Sequence, residues 1–553
     1  MSVSPPAALG PALILLLLPS LFSGEGVGFI RFEETAAKAG LSFRLQNGQS
    51  GQRHQIETMV GGVAALDYDR DGRIDLFFVN GARIPSLLKE RQGFENRLYH
   101  NEGNGRFLDV TVRAGVAGEG YGMGVAVGDF DNDGFPDLYV AGVNRNQLLR
   151  NRGDGTFEDV TAKSGATGIA PGDRKRWAVG AGFFDYDNDG DLDLFVLQYV
   201  DWQLEKEPVC VSNGVRAFCH PNSYRPLPNL LYRNNGDGTF SDVSETSGIG
   251  RLPGKGMGVA FADYDGDGWT DIFVSNDTFR NFLFRNKGDG TFAEAAVLMG
   301  VAFNEHGKSM AGMGVDFRDV DNDGRPDIVQ TGMVGDTFPL YRNGVSGFED
   351  HTSASGLAAL TARLTAWGVG LCDFDNDGWK DLFTANGSIL DNAREVENLP
   401  DRLPLKVFRN QAGRFTDAGA PGMGEARVHR GAAFADFDGD GRIDVAVSAL
   451  NDVPKLLLNR TTGGGHWLLV DLEGTRSNRD GLGAVVTVTA GGRKFTNHAT
   501  TSVGYLSASD RRVHFGLGTA ARAERVEIRW PGGGRQTLEN VAADRVLKVK
   551  QQP

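Results

Sequence analysis

The chain has 553 residues, 40% apolar and 23% charged, which supplies packed cores and excludes wholesale disorder. Lys and Arg number 57 against 71 Asp and Glu, a formal charge of −14, and this excludes the basic surface that a nucleic-acid binder needs. Three cysteines exclude a disulfide-built scaffold and a four-cysteine zinc site, while 77 glycines without a Gly-X-Y period point to many tight turns.

Residues 12–22 (ALILLLLPSLF) form an apolar run followed by Ser23 and Gly24. The run is shorter than the roughly 20 residues of a spanning helix and suits the core of an export signal, although no Lys or Arg precedes it. Residues 1–24 are therefore expected to be a signal peptide, and the mature chain to be secreted or periplasmic. No second run of spanning length follows, so no stable membrane insertion is expected.

Seven copies of Asp-x-Asp-x-Asp-Gly-x-x-Asp follow, separated by 62, 56, 78, 56, 54 and 63 residues. Their carboxylates are Asp67, Asp69, Asp71 and Asp75; Asp129, Asp131, Asp133 and Asp137; Asp185, Asp187, Asp189 and Asp193; Asp263, Asp265, Asp267 and Asp271. The last three loops supply Asp319, Asp321, Asp323 and Asp327; Asp373, Asp375, Asp377 and Asp381; Asp436, Asp438, Asp440 and Asp444. Carboxylates at positions 1, 3 and 5 of a tight loop converge on one point, the Gly at position 6 permits the turn, and the position-7 carbonyl and position-9 carboxylate complete an oxygen cage. Such a cage suits calcium, a hard cation with six to eight oxygen ligands, better than the stricter octahedron of magnesium. Up to seven calcium ions are expected, and no other cofactor.

These loops are not EF-hands, which place a Glu at position 12. Here that position holds Phe78, Val140, Val196, Val274, Gln330, Thr384 and Val447. The flanks, such as GMGVAVG before Asp129 and DLYVAG after Phe135-Pro136, are strand-like, so each loop is a turn between two strands. A second repeat follows, typified by LLRNRGDGTFEDVT at residues 148–161, and reads as another hairpin. The RGD tripeptide at residues 152–154 occupies a place filled elsewhere by EGN, NGD, KGD, GVS and QAG, so it reads as a turn rather than an adhesion motif.

Each unit is thus four strands, and seven such units predict an all-β chain with a seven-bladed β-propeller. After the seventh loop only one further strand, KLLLNR at 455–460, is left. The N-terminal segment 30–40 (IRFEETAAKAG) matches the missing strand and is expected to complete the last blade, leaving no exposed edge.

The seven DxDxDG loops with their N-x-GDGTF hairpins resemble the FG-GAP/VCBS-type repeats of integrin α-chain-like propellers, over residues 30–460. Beyond Thr461 the loops stop, and a glycine linker at 463–465 leads into alternating strands (HWLLVDLEG, AVVTVTAGGRKF, RVEIRWPGG). SNRDGLGA (477–484), VGYLSASD (503–510) and HFGLG (514–518) resemble the ASPIC/UnbV domain. That order is similar to the cartilage acidic protein family and its bacterial-type relatives. No cysteine follows Cys372, so the EGF-like module of some members is not expected here. The expected division is a signal over 1–24, the propeller over 25–460 and a small β-rich domain over 461–553. Arg479, Asp480, Tyr505 and His514 read as turn and strand-end contacts.

No HExxH, GxSxG or phosphate-binding glycine loop occurs, and the chain is expected to be an extracellular interaction or adhesion module rather than an enzyme. Its partner is expected to be an extracellular protein or glycan. The alternative is a carbohydrate-active enzyme such as a calcium-dependent polysaccharide lyase, using a cation and a base beside a uronate carboxylate. Cys210 and Cys219 lie in the longest insertion and are expected to pair under oxidising conditions, and Cys372 to be a small core residue. The separation from the ninth-position Asp to the Asn of the following strand runs 26, 14, 41, 15, 16, 29 and 15. The insertions 80–96, 201–228 and 386–405 therefore share the face opposite the ion loops, which is where variable loops on a rigid scaffold should bind a partner.

Overall fold

The computed structural model describes residues 1–2, 29–90, 92–168 and 176–552; beyond its first two residues the expected signal lies outside them. The innermost strands are Val63–Leu66, Tyr121–Gly128, Ala178–Phe184, Gly256–Ala262, Val315–Arg318, Ala366–Cys372 and His429–Ala435. Each begins a sheet built on a path of four antiparallel strands, as in blade 2, where Asp137–Val143, Gln147–Asn151 and Phe157–Asp159 follow outward. Seven such sheets are present among the described residues. Their innermost strands touch neighbour to neighbour around a ring that closes between blade 7 and blade 1, so the expected propeller is the architecture found.

The last blade is completed from the other end of the chain. Phe32–Glu34 pairs with Lys455–Asn459, with Phe32 opposite Asn459 and Glu34 opposite Leu457. Stacked apolar faces join the blades, for example Phe184 of blade 3 against Phe261 of blade 4 with ring centroids 4.4 Å apart. The sequence reading missed one element: after most fourth strands the chain makes a single helical turn, as in Thr111–Ala114 and Thr161–Ser164. A glycine in the left-handed region ends it (Gly115 φ 75°, Gly165 φ 80°), the usual way to stop a helix where a side chain would be strained.

Residues 466–550 build two further sheets. His466–Glu473 lies between Val513–Gly518 and a parallel partner, Arg545–Lys550. Val485–Ala490 pairs with Arg493–His498 and Arg522–Arg529, with Arg535–Ala542 outside. Leu468, Val470, Val486, Val488, Phe515 and Trp530 fill the core between them.

Cys210 and Cys219 form a disulfide across the hairpin Cys210–Ser212 and Val215–Ala217. Cys372 is half-buried beside the core shared by blades 6 and 7, and burial pushes its thiol far above the usual range. Mass mapping under non-reducing conditions should find Cys210 and Cys219 linked and Cys372 alkylated only after unfolding. Replacing the pair by serine should destabilise the hairpin by about 2 kcal/mol; recovery of alkylated Cys210 from the native protein would contradict this.

Candidate functional site: seven acidic loops and the two ends of the channel

The seven loops share one hydrogen-bond scheme. The position-6 glycine N–H donates to the position-1 carboxylate at 2.7–3.2 Å, from Gly72 to Asp67 through to Gly441 to Asp436. The position-5 carboxylate accepts from the N–H of position 7 at 2.9–3.0 Å. The position-9 carboxylates (Asp75, Asp137, Asp193, Asp271, Asp327, Asp381 and Asp444) are all 0% exposed. One oxygen of each accepts from the position-2 N–H. The other accepts from the N–H of the third-strand Asn.

That Asn has a second role, which the sequence reading took only as the start of a turn. Its side-chain amide donates to the position-2 carbonyl of the preceding blade at 2.7–2.9 Å: Asn151 to Tyr68, Asn234 to Phe130, Asn286 to Tyr186, Asn343 to Tyr264, Asn410 to Val320 and Asn459 to Phe374. Asn101 of blade 1 donates to Phe437 of blade 7 at 2.9 Å and closes the circle. Each acidic loop is therefore tied both to its own sheet and to the next blade.

The carboxylates converge without enough positive charge. An Arg beside the Asn bridges positions 3 and 5 in five blades (Arg150, Arg285, Arg342, Arg409 and Arg460). In blade 1 His100 stands in its place, 3.3 Å from Asp69. Burial, opposed by backbone hydrogen bonds and reinforced by neighbouring carboxylates, pushes Asp75 up to about 9. Burial, with Asp480 next in weight, pushes Asp129 up to about 8, and burial with Asp189 and Asp187 pushes Asp185 up to about 7. Oδ1 of Asp67, Asp129, Asp185, Asp263 and Asp319 at position 1, and of Asp69, Asp187 and Asp375 at position 3, is buried with no hydrogen-bond partner. Within loops such as 129–137 and 185–193 the candidate ligand oxygens lie within 4.8 Å of one another. Orphaned carboxylate oxygens facing one point fit a hard divalent cation, which would satisfy them and relieve their repulsion.

The RGD turn follows the pattern of its counterparts. Asp154 accepts from Thr156 N–H and Oγ1–H at 3.0 and 2.6 Å, as Asp237 does from Thr239 and Asp289 from Thr291.

The C-terminal sheets sit on the face that carries the acidic loops. Arg479 N–H donates to Asn132 Oδ1, and Asp480 accepts from Asp129 N–H at 2.9 Å. Arg529 pairs with Asp263 at 2.7 Å, Arg493 donates to the Asp377 carbonyl, and His514 lies 3.2 Å from the Gly441 carbonyl. Lys380, buried, donates to the carbonyls of Asp319 and Thr496 and so joins propeller to lid. Arg479, Asp480 and His514 are thus more than turn contacts: they dock the two parts of the chain.

From this lid a finger enters the propeller's central channel. Residues 499–509 are buried throughout. Ala508 N–H donates to Val63 O and its carbonyl accepts from Ala65, while Leu506 O accepts from Val125 N–H and Gly504 exchanges two hydrogen bonds with Val315. Tyr505 reaches furthest, its hydroxyl donating to the Met59 carbonyl at 2.8 Å and its ring packing edge-on to Trp367. The channel admits the finger because the residue five positions before every loop is glycine: Gly62, Gly124, Gly180, Gly258, Gly314, Gly368 and Gly431. A Cβ on Gly124 would lie 2.6 Å from Val179 O and 2.9 Å from Leu506 Cβ, and one on Gly431 2.4 Å from Gly61 O and from Ser507 Oγ. This sevenfold glycine is the one mark of the close-packed channel that the sequence carries.

At the other mouth the chain's two longest insertions meet. Asn213 donates to the Val396 carbonyl, Asn392 to the Arg216 carbonyl, and Arg216 to the Gln52 carbonyl. Arg53 pairs with Asp391 at 2.9 Å, and Gln55 N–H donates to Glu207 at 2.7 Å. They roof a cavity of about 270 Å³ over the channel. The insertion 80–96 does not reach it. Its Lys89 ammonium folds back to the carbonyls of Asn80, Gly81 and Phe94, which pins it to blade 1.

Family models match both the repeats and the C-terminal sheets. The FG-GAP-like repeat model matches residues 67–140, 129–196, 221–274, 263–329 and 373–447, and the ASPIC and UnbV model matches 474–553. Cartilage acidic protein 1 of Homo sapiens is 26% identical over 516 residues, covering 88% of this chain and 71% of its own. The Mus musculus protein of the same name is also 26% identical, covering 88% and 73%. Among solved structures, a lectin of Burkholderia pseudomallei aligns at 11% identity with a TM-score of 0.42, over 72% of this chain and 95% of its own. An Agrocybe aegerita lectin aligns at 17% identity with a TM-score of 0.38, over 66% and 82%. With its repeats matched across all seven acidic loops, the chain belongs to the FG-GAP-like repeat family and carries an ASPIC and UnbV domain behind them.

Proposed function

We propose that this is an exported, non-catalytic interaction module in which each acidic loop holds one calcium ion and the partner, a protein or glycan, binds the face opposite the ions. Within this reading residues 1–24 are the signal, 25–460 the propeller and 461–553 the lid domain. The four Asp of each loop are the calcium ligands, and the ions bind the loops to the blade ring. Export is supported by the Cys210–Cys219 disulfide, which belongs to an oxidising compartment. Among the described residues no helix is long and apolar enough to cross a membrane.

The observation that carries the binding face is the occupancy of the two ends. The loop face is covered by the C-terminal sheets, and the insertions 201–228 and 386–405 converge over the other mouth. Loops held on a rigid scaffold are where recognition concentrates. The test is to shorten 80–96, 201–228 and 386–405 separately and compare each variant with the full chain on a glycan array and against candidate extracellular proteins, with and without EDTA. Removal of 201–228 or 386–405 should abolish capture while shifting the melting temperature by only a few degrees, and removal of 80–96 should weaken it less. Capture unchanged in all three folded variants would overturn the reading.

A further inference from the structure

The cavity under the roof has a chemical character of its own. Met59, Met257, Met313, Met333, Trp367 and Leu399 line it, and thioethers adapt to apolar guests of varied shape. Two of the polar groups on this lining, Gln55 and Asp277, are buried acceptors. Gln55 is 3% exposed, and its Oε1 is buried with no hydrogen-bond partner. Asp277 is 7% exposed, and its carboxylate accepts one hydrogen bond, from the Tyr199 hydroxyl at 2.6 Å. Lys255, the cation that bears on Asp277, directs its ammonium to Asn222 Oδ1 at 2.6 Å and Thr278 Oγ1 at 3.4 Å.

Buried acceptors without donors cost free energy unless a guest supplies the donors. Beside Asp277 and Gln55 an anion would meet a carboxylate and an amide oxygen and be repelled. A neutral apolar guest would fill the space and leave Gln55 Oε1 without a donor. A primary ammonium on an apolar body satisfies both acceptors and buries its tail among the methionines, in a space near the lower end of small-molecule pockets, about 300 Å³. From this pairing of lining and acceptors we infer that the cavity is a binding site for a small organic cation, a primary amine carrying an alkyl or arylalkyl chain. The inference rests on the reading of this face as the binding face and adds a ligand class to it.

The charges around Asp277 set the pH dependence. Lys255 favours its ionised form and Asp336 opposes it, Tyr199 donates to it, and Tyr505 lies within its field. Arg430 stacks on Trp367 at 4.0 Å, and Arg363, His220 and Glu397 stand on the lining. Burial brings Asp277 to about 6, so an ammonium guest should bind more tightly as pH rises from 5 to 7.5.

The experiment is isothermal titration of the full chain with n-hexylamine, n-hexanol and n-hexanoate, with tryptophan fluorescence as a second readout. One n-hexylamine per chain is expected at pH 7.5, with the alcohol and the acid at least tenfold weaker. Asp277→Asn should weaken the amine at least tenfold and flatten the pH dependence. Met333→Trp, which fills the cavity, should abolish binding and serves if Asp277→Asn does not fold. Equal binding of the three probes, no binding of the amine at millimolar concentration, or an unchanged affinity in the folded Asp277→Asn variant would overturn the inference. Because the titration uses no macromolecular partner, its failure is separable from failure of the capture experiment on the shortened insertions.

Discussion

Removing divalent cations with EDTA is expected to lower the melting temperature of this protein by at least about 10 °C and to expose its acidic loops to proteases. The size follows from binding linkage. A site held at a hundred times its dissociation constant adds about 2.7 kcal/mol to the folded state. Seven such sites together exceed the roughly 5–15 kcal/mol that holds an ordinary domain. Without cations, Oδ1 of five position-1 and three position-3 aspartates stays buried and unpartnered, and carboxylates such as Asp75 are pushed up to about 9 by burial and by neighbouring carboxylates. Seven divalent ions would also cancel the formal charge of −14. The loss should be cooperative, because each loop's position-9 Asp is bonded to the Asn that clamps the preceding blade. A melting curve indifferent to EDTA would contradict this.

Gly124→Val is expected to destabilise the protein by about 3 kcal/mol or more and to release the finger at 499–509 from the channel. The cause is space rather than backbone strain. The first atom added meets Val179 O at 2.6 Å and the Leu506 backbone oxygen at 3.0 Å, and neither can rotate away. The blade 2–blade 3 contact and the finger are thereby disturbed together. By contrast Val297→Ala, at a side chain 62% exposed, should be within about 0.5 kcal/mol of wild type. Limited proteolysis separates the two parts of the expectation: cutting within 499–509 at a temperature where the sheets remain folded reports an expelled finger. A Gly124→Val protein that melts with the wild type and keeps the finger protected would remove the glycine ring from the account.

Local pattern carried most of the propeller. Alternation around each loop, the four Asp and the Gly, and the N-x-G turn are all short-range, and their sevenfold recurrence leaves one architecture. Ring closure was legible for the same reason: residues 30–40 repeat the outer strand that KLLLNR lacks, and Phe32 pairs with Asn459 as that match implies. The clamp asparagines were half legible. Each was visible as a turn residue, but its bond to the preceding blade exists only once the blades are ringed.

The finger was not legible at all. VGYLSASD is small, polar and irregular, and its partners Val63, Val125 and Val315 lie nearly two hundred residues or more away in sequence. Nothing local distinguishes it from an exposed loop. Arg479 and Asp480 read as a turn for the same reason, since their partners Asn132 and Asp129 become neighbours only when the lid docks. Loop lengths placed the insertions on one face, but not the fold-back of Lys89 that keeps 80–96 from joining the roof.

On the reading proposed above, the acidic loops are seven cation sites that hold the ring. The most direct test counts the ions: elemental analysis and native mass spectrometry of protein equilibrated with calcium and then freed of excess. Seven calcium ions per chain are expected, and six when Asp265→Ala and Asp267→Ala are combined in the fourth loop. A calcium-free chain that is fully folded, or a count unchanged by the double substitution, would contradict it.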